Sequence, residues 1–349
     1  MKRIKLVLAT LFIFSATLGL RAQDIHFSQF YLSPLNLNPA MTGVMNCNIR
    51  LVANYRNQWA SVLKSFAYNT YSVSYDQRIP VGRNDFFGIG GTFWGDKAGE
   101  AEFKTLTGKL SLSYSKKMGG YRKRSHYLVV GAEGGAAQRS IDFLQLRWPS
   151  QHNGEGGFDQ SLDSGESDLL DNFLFADMAA GLLWFSVFDE DNSFYMGAAF
   201  HHLNRANQSF RVDGVDDLYS RLTVHAGGDF LVGRRIGFIP GAIAMFQGPS
   251  FQLNTGASLK FLLGGNRRNY QAFQLGTWVR ISNRIEQGVL MDAAILSTRF
   301  DYDSFSLGFS YDINVSELVP ASNNNGAFEF ALVYKICGPT RRGVYCPRF

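Results

Sequence analysis

The residues of this 349-residue chain that could do chemistry are three cysteines, one adjacent histidine pair and two acidic runs. Cys337 and Cys346 bracket a short stretch containing Gly338 and Pro339, and in an oxidising compartment a local disulfide between them is expected. Cys47 is the odd one out; pairing with either of the others stays open, because closing a sheet on itself makes its first and last strands neighbours. His201 and His202 are consecutive and should point to opposite faces of one strand, a poor arrangement for sharing a metal ion. The run Glu155, Asp159, Asp163, Glu166, Asp168, Asp171 lacks the spacing of a twelve-residue calcium loop, as does Asp213-Gly214-Val215-Asp216-Asp217. No nucleophile elbow, zinc-protease helix or phosphate-cradling glycine loop occurs in a suitable context. Gly88-Ile89-Gly90-Gly91 lies inside a strand pattern, where glycine permits bending or leaves room on one face. The reading is a protein without catalysis, cofactor or metal.

The elements that must carry these residues are strands. From Asn48 to Ile336, segment after segment places large apolar residues at every second position. Successive strand side chains point to opposite faces, so each segment has one oily and one polar side. In Phe305–Ile313 the oily set is Phe305, Leu307, Phe309, Tyr311 and Ile313, opposed by Ser306, Gly308, Ser310 and Asp312. Phe328–Ile336 and Phe251–Leu262 follow the same rule. Ala176–Ser186 is the most informative, because Asp177 sits inside an otherwise oily stretch; a polar interior tolerates that charge and hydrocarbon does not. Arg56 belongs to the same inward class, opposite Tyr55 and Trp59. Extending the count predicts an all-β fold, a transmembrane antiparallel β-barrel of about 14 strands, even-numbered as single-chain bacterial barrels are. The predicted strands are 49–59, 67–79, 86–97, 104–116, 126–139, 174–187, 192–203, 220–232, 237–247, 250–263, 270–281, 287–297, 303–313 and 327–336.

The chain start decides between a soluble and a membrane barrel. Lys2, Arg3 and Lys5 precede the apolar stretch Leu6–Leu20, and Ala22 precedes Gln23, which is the pattern of a cleavable export signal. Its departure takes the 34 basic residues to 30 against 29 acidic ones, so nucleic acid is not a favoured partner. Aromatic content of 14% suits lipid-facing belts. The expected organisation is a signal peptide over 1–22, an N-terminal segment over 23–48, an outer-membrane barrel over 49–336 and a periplasmic tail over 337–349. With both termini periplasmic, the longest connections, Ser140–Leu174, Asn204–Tyr219 and Asn314–Ala327, all fall outside the cell. The short turns carry Lys116-Lys117, Arg122-Lys123-Arg124, Arg234-Arg235 and Arg267-Arg268, either simply solvated or a basic rim for a periplasmic partner.

The segment Gln23–Asn48 is too apolar for a free tail, yet Pro34 and Pro39 prevent one continuous helix. It is expected to plug the lumen or cap its periplasmic mouth, with Arg56 against it; a periplasmic docking peptide is the other reading.

Gln23-Asp24-Ile25-His26-Phe27-Ser28-Gln29-Phe30-Tyr31, Pro34-Leu35, Leu37-Asn38-Pro39-Ala40 and Thr42-Gly43 resemble the start of the PorP/SprF family of type IX secretion outer-membrane proteins. Asn54-Tyr55-Arg56-Asn57-Gln58-Trp59, Ser74-Tyr75-Asp76, Tyr311-Asp312-Ile313-Asn314, Ala321-Ser322-Asn323, Gly326-Ala327-Phe328-Glu329 and Cys346-Pro347-Arg348-Phe349 extend the resemblance. It implies a non-enzymatic barrel that helps export or retain a large surface adhesin by binding its C-terminal targeting domain. It also implies association with other secretion or gliding components, including a peptidoglycan-linked lipoprotein, and with the lipid bilayer. Candidate partner-binding residues are Phe27, Gln29, Phe30, Tyr31 and Asn38 in the segment, Asp159, Asp163 and Asp168 in the long acidic loop, and Asn314 and Asn323 in the last loop. The alternative function is an outer-membrane porin or small-solute transporter.

Overall fold

The computed structural model describes residues 24–338, apart from 121–123, 155, 190, 265–269 and 284–287, together with 346–347. The signal-peptide reading and the basic residues Arg122, Lys123, Arg267 and Arg268 lie outside the described residues. Fourteen antiparallel strands close into one barrel, each paired with its neighbours in sequence and β1 with β14. The first seven are β1 (Ile49–Gln58), β2 (Tyr68–Val81), β3 (Asp85–Ala98), β4 (Phe103–Gly119), β5 (Ser125–Ser140), β6 (Asn172–Val187) and β7 (Ser193–His201). The second seven are β8 (Arg221–Val232), β9 (Ile236–Gln247), β10 (Ser250–Gly264), β11 (Gln271–Asn283), β12 (Val289–Tyr302), β13 (Phe305–Asn314) and β14 (Asn325–Ile336). Closure leaves no bare strand edge, which is the condition for a sheet to stand in hydrocarbon.

The alternation of residue types becomes an alternation of environment. Along β13, Phe305, Leu307 and Phe309 are exposed while Ser306, Gly308, Ser310 and Asp312 are buried. Leu110, at the middle of β4, is 74% exposed, whereas its neighbour Ser111 is buried. A soluble fold would place these side chains the other way round, so the outward face is matched to acyl chains. No helix among the described residues is long and apolar enough to cross a membrane.

Residues 24–48 do not hang free. They cross the barrel interior as short turns, Phe30–Leu32, Pro34–Leu37 and Pro39–Met41. The two prolines open turns where no backbone donor is needed, and the Asn38 side chain accepts the Ala40 amide. The interior is therefore packed around this segment. Phe86, Tyr127, Leu183, Phe185, Trp278 and Ile295 point inward and form one apolar cluster with Phe30, Leu37, Ala40, Met41 and Val44.

Two expectations are corrected. Cys337 pairs with Cys47, not with Cys346 as expected, and Cys346 is a free, buried thiol. The physical reason is closure: Ile49 lies opposite Ile336 across the β1–β14 seam, and this brings the residues just beyond both strands together. His202 does not point away from His201. It follows the end of β7 with a left-handed backbone (φ 56°), which turns its ring inward, so both histidines are buried. The ends of the described chain do not share a rim. Asp24 bonds Gln247 at the end of β9 and Arg221 at the start of β8, beside the long connections. Cys346 is held by Asn46 at the opposite rim. The segment runs inside the barrel between them.

Candidate functional site

Two features stand out from the plain wall: the segment with its inner contacts, and the rim built from the long connections. The segment is held in stages. At its first residues, Asp24 pairs with His202 and lies 3.3 Å from Arg221, while His202 Nδ1 lies 2.9 Å from Asp177. Burial would lower the His202 imidazole, but Asp24 and Asp177 outweigh it and push it up to about 9. Burial would raise the Asp24 carboxyl, yet His202 and Arg221 hold it well below the usual range. Asp177 also meets Lys109 at 2.8 Å, and Lys109 meets Glu133 at 3.1 Å.

Next along the segment, Arg56 and Arg280 converge on Asp312 at 2.9 and 2.6 Å. The Ser28 hydroxyl donates to Asp312 at 2.8 Å, and the Ser28 and Gln29 amides donate to Glu329 at 2.7 and 2.9 Å. Removing one partner from a buried set of this kind leaves an uncompensated charge, which is costly. Phe30 meets Trp278 edge-on at 5.6 Å, and Tyr31 stacks on it at 5.2 Å. Asn38 donates to the carbonyls of Leu182 and Ala198 and lies 3.0 Å from His225 Nε2. Arg50 and Asp76 form a buried pair at 2.8 Å that also donates to Met41 O and accepts Gly43 N.

Of the sequence candidates, Arg56, Asp177 and Asp312 are brought into this interior, on its buried face. Phe27, Gln29, Phe30 and Asn38 are buried against the wall and Tyr31 is half-buried there, so the segment as placed offers a partner little surface. Asp159, Asp163 and Asp168 are exposed on the 141–171 connection. Asn323 is exposed, whereas Asn314 is buried and binds Ser316 and Ser322. Sequence reasoning missed Asp24, Arg50, Asp76, His202, Arg280 and Glu329. For the strand residues among them a signal existed: Arg50 shares the face of Arg56 on β1, and Glu329 occupies an inward position of β14.

The rim is an ordered surface. The connection 141–171 pairs with 202–220 through the Leu169–Arg211 bridge, and the Leu170 amide donates to Phe210 O at 2.7 Å. Phe210 is the hub of an aromatic group, edge-on to Phe103, Phe143 and Phe173 at 6.0, 6.0 and 4.9 Å. Leu144 and Val215 stand 82% and 83% exposed on it. The opposite rim carries Arg83, Lys116, Arg124, Arg234 and Arg235, all exposed. Among the described residues no group of three or more His, Cys, Asp or Glu side chains is placed to hold a metal ion.

The family model described as type IX secretion system membrane protein PorP/SprF matches residues 20–334. The chain belongs to the PorP/SprF family. This PorP/SprF protein finds no match among curated proteins. Among solved structures it is similar to CdiB from Escherichia coli, at 9% identity and a TM-score of 0.47, covering 81% of this chain and 63% of that one. It spans a similar share, 60%, of CdiB from Acinetobacter baumannii, so less than two thirds of either CdiB structure. It is also similar to a Pseudomonas aeruginosa FadL homologue, at 10% identity and a TM-score of 0.39, covering 85% of this chain and 92% of that one. A bacterial polysaccharide outer membrane secretin is 9% identical, with a TM-score of 0.39 over 84% of this chain and 99% of its own.

Proposed function

We propose that this PorP/SprF protein is a non-enzymatic attachment component of the type IX secretion and gliding apparatus. It helps export or retain a large surface adhesin by binding the adhesin's C-terminal targeting domain. The observation that carries the reading is the rim: the two longest connections are knit into one aromatic-centred, acidic surface with exposed Leu144 and Val215. Interfaces combine apolar anchors with a charged surround of this kind. The odd-numbered connections face outside, and the basic rim faces the periplasm, where it meets acidic components of the machinery. The N-terminal segment acts as a plug, and a plugged barrel is a poor diffusion porin.

Removing residues 150–168 should leave an assembled barrel and deplete one large adhesin from the cell surface, read by surface proteomics. An unchanged surface proteome contradicts the role given to this rim. In planar bilayers the full chain should be electrically silent; steady conductance would favour the transporter reading instead.

A further inference from the structure

On the short-turn rim, neighbouring hairpins end at unequal heights. The tight turn Gly82-Arg83-Asn84 joins β2 to β3, whereas β4 continues to Gly119. The β3–β4 pairing stops at Phe86 and Ser115, so residues 116–119 extend beyond it. The Lys117 amide donates instead to the Asp85 carboxylate at 3.0 Å, and Met118 is an extra residue bulged between Lys117 and Gly119. The step leaves an open cleft of about 470 Å³ lined by residues 81–85 and 116–120. Hollows of roughly 300–1,000 Å³ are the size that holds small ligands.

The charge of the cleft is lopsided. Arg83, Lys116 and Lys117 stand against one carboxylate, Asp85, which already accepts from Lys116 Nζ at 2.7 Å and Tyr114 OH at 3.1 Å. Below the cations the cleft continues into the lipid-facing wall. Lys116 follows Leu112 and Tyr114 on the outward face of β4, and Asp85 precedes Phe87 and Ile89 on the outward face of β3. The Phe87 and Tyr114 rings lie 4.9 Å apart. The cations therefore sit where hydrocarbon gives way to headgroups, on the outer flank of the rim rather than over the lumen.

We infer that this cleft seats the phosphate of an anionic phospholipid, with Arg83 and Lys116 as its donors and an acyl chain along the exposed Ile79, Phe87 and Leu112. Guanidinium and ammonium groups make charge-assisted hydrogen bonds to phosphate, and apolar side chains directly beneath select a phosphate that carries hydrocarbon. The site goes beyond the attachment reading and leaves Arg234 and Arg235 of the same rim to it.

The test is native mass spectrometry of the full chain in detergent, titrated with phosphatidylglycerol or with zwitterionic phosphatidylcholine. The first phosphatidylglycerol should bind about tenfold or more tighter than the first phosphatidylcholine. Arg83→Gln with Lys116→Gln should weaken that first phosphatidylglycerol by about tenfold or more. Asp85 keeps Tyr114 and the Lys117 amide in this variant, so the turn holds. Arg234→Gln with Arg235→Gln, the same charge change elsewhere on the rim, should stay within about threefold of wild type, as should the charge-preserving Lys116→Arg. Equal losses in the two double variants, or equal binding of the two lipids, overturns the inference. So does displacement of the lipid by millimolar inorganic phosphate, which makes the cleft a site for the free anion. Displacement by a polyglutamate peptide overturns it too, because the cleft then docks an acidic protein. If the double variant does not fold, Arg83→Gln alone, in its exposed turn, carries the test with a loss of about threefold or more; no loss overturns the inference.

Discussion

The two ends of the N-terminal segment are held by different physics. Residues 24–29 sit among charges: Asp24 with His202 and Arg221, and Ser28 between Arg56, Arg280, Asp312 and Glu329. Residues 40–47 sit mainly among Tyr127, Val129, Leu183, Phe185 and the buried Cys346, with one buried ion pair, Arg50–Asp76, on Met41 O and Gly43 N, and end in a disulfide to Cys337. Ion pairs respond to pH and to competing charges, whereas apolar packing and a covalent bond do not. The difference teaches where each end is vulnerable: the Asp24 end to pH and competing charge, the Cys47 end to loss of its covalent bond.

The predictions probe that contrast by hydrogen exchange on the protein in nanodiscs, comparing residues 24–31 with residues 38–46. Asp312→Ala leaves Arg56 and Arg280 buried without their shared partner and should cost about 3–5 kcal/mol, with exchange rising first at residues 24–31. Equal loss at both ends would break the contrast. Cys47→Ser removes the staple across the β1–β14 seam and should cost about 2–4 kcal/mol, loosening residues 42–46 while Asp24 stays protected. Asn38→Ala, midway along the segment, orphans two wall carbonyls and should cost about 1–3 kcal/mol, felt at both ends.

The smallest effect is the pH response. His202 is raised to about 9 in the folded protein, so its contribution is complete below its unfolded value of about 6.5 and is lost as pH rises through 9. Asp24 is lowered, so its contribution is present above the usual carboxylate range and is lost only in strong acid. Residues 24–26 should therefore exchange faster above pH 9, and modestly, because Arg221 still pairs with Asp24.

The strand count and the facing of each strand were legible, because a period of two needs only neighbouring residues to show itself. Phe305, Leu307 and Phe309 against Ser306, Gly308 and Ser310 is such a case. The disulfide was legible only in part. The closure rule admitted Cys47, but the nearness of Cys337 and Cys346 in sequence favoured the wrong pair, since a seam between residues 290 apart outweighs a short local loop here. The ion pairs were not legible as pairs. Arg280 and Asp312, or Arg50 and Asp76, become partners only once strand register sets them side by side. His202 was missed because a left-handed turn after β7, not strand alternation, aims its ring.

The central claim is that a lipid-facing barrel is filled by its own residues 24–46, and exchange of those amides in a bilayer tests it most directly. Amides of residues 28–44 should be protected as strongly as those of β13. Exchange as fast as in the exposed stretch 159–166 would contradict the account.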